Sequence, residues 1–306
     1  MKRPNFIEAV PDLAIASRSK CDLAVSKTKE LTYEIVGKCD LSCKHCSAKA
    51  EKERTDLVSF EEFVENIEKY DEFWTIRLSW WEPFHHPKIV EMVDFLVEKG
   101  KQVEILSSWV VDNKPISHYT IWKLVWKIKI IFSYHWYFDD HHAIVDPKVK
   151  FWHAFWDDLM DSVEQCAINN IPFSFQTVIL QENVWKIEEI VRDISQLNRL
   201  YAAKIEKWKL PKIQAHFLRF VKQWRWLEND LVPVSSETIW VLPVEFENLS
   251  RRYNVDITYS SNIEMDRCDC GNKKMVITAD KDIISCSALK WDKNIENWAF
   301  ACKSRL

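Results

Sequence analysis

LTYEIVGKCDLSCKHC, residues 31–46, joins a short β-rich run to a loop carrying three cysteines. LTYEIV (31–36) reads as a strand, because β-branched and aromatic residues dominate it. The same alternation continues down the chain. Ser59 with Glu62 forms a capping box ahead of a helical stripe of Phe60, Phe63, Val64 and Ile67. TIRLS (75–79) is a second strand. Pro87 opens a helix bearing Ile89, Val90, Val93 and Leu96, and Gly100 closes it. VEILSS (103–108), KIKIIFSY (127–134), PFSFQTVI (172–179) and KIQAHFLRF (212–220) are the remaining strands. Helices are predicted from Ser117, over residues 154–169, and from Asn183 to Leu200. Strands alternating with helices imply a parallel sheet with right-handed crossovers. Six such units suit an open, partial (β/α)6 barrel better than a closed eight-fold one, with its site at the C-terminal ends of the strands.

Beyond residue 226 the pattern changes. Residues 235–252 read as helical, with Pro243 expected to restart or kink the helix, VDITYS as a strand and MVITADKDIISC as a hairpin. The expected class is α/β: a partial (β/α)6 barrel with a small C-terminal α+β module containing cysteines. The expected divisions are an N-terminal extension (1–30), the barrel (31–226) and the module (227–306).

Composition narrows the function classes. The 306 residues are 47% hydrophobic and 29% charged, with a net charge of −4, which suits a globular protein and disfavours a nucleic-acid surface. No apolar run is long enough for a membrane span. The N-terminus lacks the apolar centre of a signal peptide, so a cytoplasmic location is expected. Nine cysteines are many for a reducing compartment, and seven are clustered: Cys39, Cys43 and Cys46, then Cys268, Cys270, Cys286 and Cys302. Clustering there favours metal over disulfide. Cys21 and Cys166 read as ordinary thiols.

Glycine and tryptophan counts are anomalous. At the usual share of about 7%, a chain of this length holds about 21 glycines. This one holds three, and 16 tryptophans. Several tryptophans stand at turns: Trp80 and Trp81 after TIRLS, Trp109 after VEILSS, and Trp224 and Trp226 around Arg225. Some bacterial lineages read UGA as glycine, whereas another code reads it as tryptophan. Translation of such a gene with the wrong table places Trp where the protein has Gly, and that is the expectation here.

Cys39-x-x-x-Cys43-x-x-Cys46 can hold three irons of a [4Fe-4S] cluster, leaving the fourth open to a small molecule. A zinc site completed by His45 or His135, or unrelated buried thiols, stay open on spacing alone. RLSWWEPFHHP (77–87) follows the second strand. With Trp80 and Trp81 read as glycines, it is similar to the Gly-Gly-Glu-Pro motif of the radical S-adenosylmethionine (SAM) superfamily. The CxxxCxxC loop after strand one resembles that family's cluster loop. The two motifs stand in the family's order, and the resemblance spans about residues 31–226.

The resemblance implies a [4Fe-4S] cluster on Cys39, Cys43 and Cys46, with SAM chelating the open iron. Trp80, Trp81, Glu82 and Pro83 then cradle the SAM amino group, chiefly through backbone carbonyls and Glu82. Two literal indoles would fill that space. Ser133 and His135 lie where the family contacts the SAM ribose or methionine. Gln176, Thr177 and Asn183 face the adenosyl group, with core or helix-capping roles as the alternative. No clear Gly-x-Ile-x-Gly adenine pattern is present. Arg219 is a substrate-binding candidate or part of a solvated basic loop. His135, Asp139, Asp140, His141 and His142 read as a solvated loop rather than a second metal site.

Cys268, Cys270, Cys286 and Cys302 resemble the start of the twitch or SPASM modules of that superfamily. They are candidates for a second [4Fe-4S] cluster, with structural zinc as the alternative. The usual later cysteines are missing, so a shortened module is expected. The implied activity is reductive cleavage of SAM to a 5′-deoxyadenosyl radical that abstracts hydrogen from a peptide, protein or cofactor precursor. An electron donor such as a flavodoxin or ferredoxin is implied as partner; no membrane is expected, and the acidic balance and lack of a basic, aromatic-interleaved stretch weigh against a nucleic-acid-modifying radical enzyme. The alternative is a non-catalytic, metal-stabilised relative, favoured if Trp80 and Trp81 are genuine.

Overall fold

The computed structural model describes residues 29–41, 43, 45–46, 53–79, 82–108, 110–111, 114–115, 121–124, 127–134, 152–219, 232–260, 274–278, 281 and 283–284. The elements are β1 (Glu30–Glu34), α1 (Phe60–Lys69), β2 (Thr75–Ser79), α2 (Ile89–Glu98) and β3 (Gln102–Ser107). A two-residue hairpin, β4 (Val110–Val111) and β5 (Lys114–Pro115), precedes β6 (Ile128–Ser133), α3 (Trp152–Ile168), β7 (Phe173–Ile179) and α4 (Ile187–Leu200). Then come α5 (Ala202–Trp208), β8 (Gln214–Arg219), α6 (Ser236–Tyr253), β9 (Ile257–Tyr259), β10 (Lys274–Ile277) and β11 (Ile283–Ile284).

Local chemistry sets several of these boundaries. Ser59 Oγ accepts the Glu62 amide at 3.1 Å and starts α1. Gly100, at φ +73°, follows α2 in the left-handed conformation that glycine adopts without strain. Ser235 caps α6, which runs through Pro243 as one helix.

The six predicted strands pair in parallel in the order β1-β2-β3-β6-β7-β8. The sheet does not stop there. β9 adds in parallel to β8, and β10 adds in parallel to β1, with β11 antiparallel beyond it. Among the described residues the sheet has nine strands and two separate edges, as in an open barrel. Strands from residues 227–306 thus lie on both sides of the six central ones. Phe246 of α6 stacks on Phe217 of β8 with centroids 4.7 Å apart and planes 9° from parallel, which seats α6 on the same sheet.

The two faces of the sheet differ in chemistry. Leu31, Tyr33, Ile76, Leu78, Val103, Ile105, Ile130 and Phe132 are buried in the main core with helix residues Phe63, Met92 and Leu96. Strand alternation sends the intervening residues to the inner face. There Arg77 pairs with Glu30 at 2.8 Å and Glu104 at 2.6 Å, and Lys129 lies 4.0 Å from Glu104 and 3.3 Å from Gln214. Oppositely charged neighbours on adjacent strands let a parallel sheet carry a polar face inward. Among the described residues, no helix is long and apolar enough to cross a membrane.

Candidate functional site

The site grows from the C-terminal ends of β1, β2 and β3. The chain leaves β1 and soon returns. Val58 N–H donates to Ile35 O at 3.1 Å, and Gly37 N–H to Asp56 O at 2.8 Å. Residues 56–58 therefore run back against 35–37 and pinch the base of the cysteine loop. A Cβ at Gly37 would stand 2.7 Å from Asp56 Oδ2, so a larger residue there would have to push the exposed Asp56 side chain aside.

Cys39 is buried, and Cys43 and Cys46 are partly buried against the same core. Leu41 N–H points to Cys39 Sγ at 3.4 Å, and Cys46 N–H donates to Cys43 O at 3.0 Å. Burial first, then the charges of Cys43, Glu82 and Cys46, hold the Cys39 thiol well above the usual thiol range. A bound metal reverses this, since a coordinating thiol is deprotonated outright.

Glu82 joins the cysteine loop to β3. Its amide donates to Lys38 O at 3.1 Å. Its carboxylate, fully buried, accepts from Ser107 Oγ at 3.0 Å, Ser108 N at 2.7 Å, Ser108 Oγ at 2.6 Å and Phe84 N at 3.3 Å. Burial pushes this carboxyl up to about 7, against the opposing pull of Ser108, Ser107 and Phe84. Pro83 is buried at the start of a 3-10 turn, Pro83–His85. His85 Nε2 lies 3.2 Å from Asp40 Oδ2, with side chains 4% and 2% exposed. His86 Nε2 lies 2.9 Å from Val58 O, and its Nδ1 accepts Lys88 N–H at 3.1 Å.

The donor chemistry fits the implied cofactor. Three thiols share one pinched loop, and Ser79 Oγ, at the end of β2, is buried with no hydrogen-bond partner among the described residues. Three thiolates suit a four-iron cluster with one open iron. Among the described residues, no three His, Cys, Asp or Glu side chains are gathered tightly enough for a single metal ion. A four-iron cluster spreads its thiolates wider than one ion does.

Other expected residues fall at different depths. Ser133 ends β6 and pairs in register with Gln176 of β7, which pairs with His216 of β8, which pairs with Thr258 of β9. Ser133, Gln176 and His216 therefore share one inner-face row. Thr177 alternates to the other face, and its hydroxyl donates to Tyr134 O. Asn183 staples the turn after β7: Oδ1 accepts Leu180 N–H at 2.8 Å and Nδ2 donates to Val178 O at 2.9 Å. It makes no side-chain cap, and α4 begins four residues later, after a 3-10 turn. The expectations at Trp80, Trp81, His135, Cys268, Cys270, Cys286 and Cys302 lie outside the described residues, as do residues 139–142 and the Arg219 side chain.

Sequence reasoning missed Ser107, Ser108, Asp40, His85 and His216. The Ser-Ser pair closing VEILSS was the one available signal, because hydroxyls at a barrel strand's C-terminal end face the site. His216 Nδ1 lies 2.8 Å from Thr258 Oγ1. Burial, then the positive charges of Arg77, Lys274 and Lys129, push its imidazole down to about 3.

Comparison with known proteins bears on the family and the fold. The family model described as "Radical SAM superfamily" matches residues 33–194, more than half of the chain. The antilisterial bacteriocin subtilosin biosynthesis protein AlbA of Bacillus subtilis (strain 168) is 29% identical over 85 residues, 27% of this chain and 19% of AlbA. The structure of Streptococcus suis SuiB bound to S-adenosylmethionine is similar at TM-score 0.58 and 12% identity, covering 89% of this chain and 65% of SuiB. The structure of anSMEcpe with bound AdoMet is similar at TM-score 0.53 and 10% identity, covering 87% and 76%. The matched region is under two thirds of AlbA and of SuiB. The family match over both motifs establishes that the chain belongs to the radical SAM superfamily, enzymes that use a [4Fe-4S] cluster and S-adenosylmethionine.

Proposed function

We propose that Cys39, Cys43 and Cys46 hold the cluster, that residues 80–83 cradle SAM, and that the substrate is a peptide. The observation that carries the site reading is Glu82. One residue ties the cysteine loop, through Lys38 O, to the end of β3, through Ser107 and Ser108. Both motifs thereby meet at neighbouring strand ends. When bound, the cluster supplies the electron that cleaves SAM to methionine and a 5′-deoxyadenosyl radical for hydrogen abstraction. The chain's own part is positional. Glu82 fixes the turn, residues 56–58 pinch the loop, and the inner-face row of Ser133, Gln176 and His216 lines the space beside it.

Support for a peptide substrate is indirect. SuiB has been solved bound to precursor peptide SuiA, and AlbA serves bacteriocin biosynthesis. A flavodoxin or ferredoxin as electron donor, a second cluster on Cys268, Cys270, Cys286 and Cys302, and a cytoplasmic location belong to the same proposal.

On this proposal the working protein carries glycine at 80 and 81, as in the Gly-Gly-Glu-Pro motif that residues 80–83 resemble. Of the described tryptophan side chains, Trp74, Trp185 and Trp240 are 48%, 46% and 55% exposed. None fills the core, where tryptophan contributes most. The test is anaerobic reconstitution of the chain as written beside its Trp80→Gly/Trp81→Gly form. Formation of 5′-deoxyadenosine by the glycine form alone is expected, and Cys39→Ala abolishes it. Iron uptake without cleavage in the glycine form refutes the proposal and leaves the non-catalytic reading.

A further inference from the structure

We propose that the adjacent histidines of FHHP, His85 and His86, form a two-pronged clamp that holds both legs of the cysteine loop. His85 reaches the entry leg, where Asp40 directly follows Cys39, in a polar contact with 3.2 Å between Nε2 and Oδ2 that is not aligned as a hydrogen bond. His86 reaches the exit leg, where its Nε2–H donates to Val58 O at 2.9 Å. The Lys88 amide fixes the tautomer of His86 by donating to Nδ1 at 3.1 Å. The clamp sits on the turn that begins at Pro83, immediately after Glu82, whose amide holds Lys38 O. One short segment after β2 therefore grips the loop at 38, 40 and 58.

Burial explains why these contacts direct position. The side chains of Asp40 and His85 are 2% and 4% exposed, and His86 as a whole residue is 2% exposed. Polar groups that deep in the fold are costly unless they meet their partners, so displacing the loop is resisted at both legs. The two legs of the cysteine loop are held in place before any cluster is loaded. The inference rests on reading Cys39, Cys43 and Cys46 as the cluster ligands.

The test is peptide-resolved alkylation with iodoacetamide of the full-length, metal-free protein. His85→Ala, Asp40→Ala and His86→Ala are each expected to raise the rates at Cys39, Cys43 and Cys46 about tenfold, by freeing one leg. Cys166, fully buried on α3, is the control and stays slow. The Asp40→Ala/His85→Ala double variant is expected to react no faster than either single one, because the two act through each other. His85→Gln, which keeps a polar side chain facing Asp40, is expected to return most of the protection.

Unchanged rates at the three thiols overturn the clamp, as do additive effects in the double variant. If Cys166 accelerates in step in the alanine variants, His85→Gln decides: slow thiols support the clamp, and fast thiols with Cys166 silent overturn it. A protein that protects its thiols but never cleaves SAM keeps the clamp and loses the proposed activity. Cleavage with unchanged thiol rates does the reverse.

Discussion

Glu82 offers a quantitative test of the site. Its carboxyl is pushed up to about 7 in the fold, from an ordinary value of 4.5. The folded chain therefore holds a proton there that the unfolded chain releases above 4.5. The stability linked to that proton is fully present below 4.5 and is lost as pH rises through about 7. At about 1.4 kcal/mol per unit, the loss is about 3 kcal/mol. Glu82→Gln isolates it. Neutral glutamic acid and glutamine each present one acceptor oxygen and one donor group to Ser107, Ser108 and Phe84, so the two proteins match best in acid. Urea unfolding of the metal-free proteins at steps from pH 4.5 to 8 gives the difference between them. His216 and His86, which titrate in the opposite sense, cancel from that difference. The variant should gain about 3 kcal/mol on the parent across this range. A flat difference, or a variant that falls behind as pH rises, refutes the account of Glu82 as a buried carboxyl without a compensating cation.

Three further outcomes follow from the inner face and from α6. Arg77→Leu leaves Glu30 and Glu104 facing each other's strands without their shared cation, at side-chain exposures near one fifth, and should cost about 3 kcal/mol in urea unfolding, part of it recovered by adding Glu104→Gln. His216 stays neutral in the fold down to about 3, so its contribution is present above about 6.5 and lost as pH falls. His216→Gln should flatten the acid limb of the unfolding curve, and an unaltered limb refutes this. Phe246→Ala removes the ring stacked on Phe217 and should cost about 3–5 kcal/mol in one cooperative transition, because α6 packs on the barrel sheet. Separate melting of α6 would contradict that packing.

Much of the barrel was legible because its signals are local. TIRLS matches β2 at both ends, and the other five strands lie within a residue or two of expectation. Ser59 caps α1 through a contact three residues away. The helix expected to begin at Asn183 starts later, because the Asn183 side chain bonds backward to Val178 and Leu180. The hairpin in MVITADKDIISC was readable, but its place beside β1 was not, since that pairing joins residues more than 240 positions apart.

The sequence by itself determined the alternation of parallel strands, the thiol loop after β1 and the turn after β2 that mark the family. These depend on residue type and short-range spacing. Tertiary structure alone decided that Ser107 and Ser108 receive Glu82, that His85 and His86 grip opposite legs of the loop, and that β9 and β10 extend opposite edges of the sheet. It also decided that Arg77 sits between two carboxylates on the inner face. Each of these contacts joins residues distant in the chain, and a lone charged or polar side chain looks the same in sequence whether its partner is water or a strand folded against it.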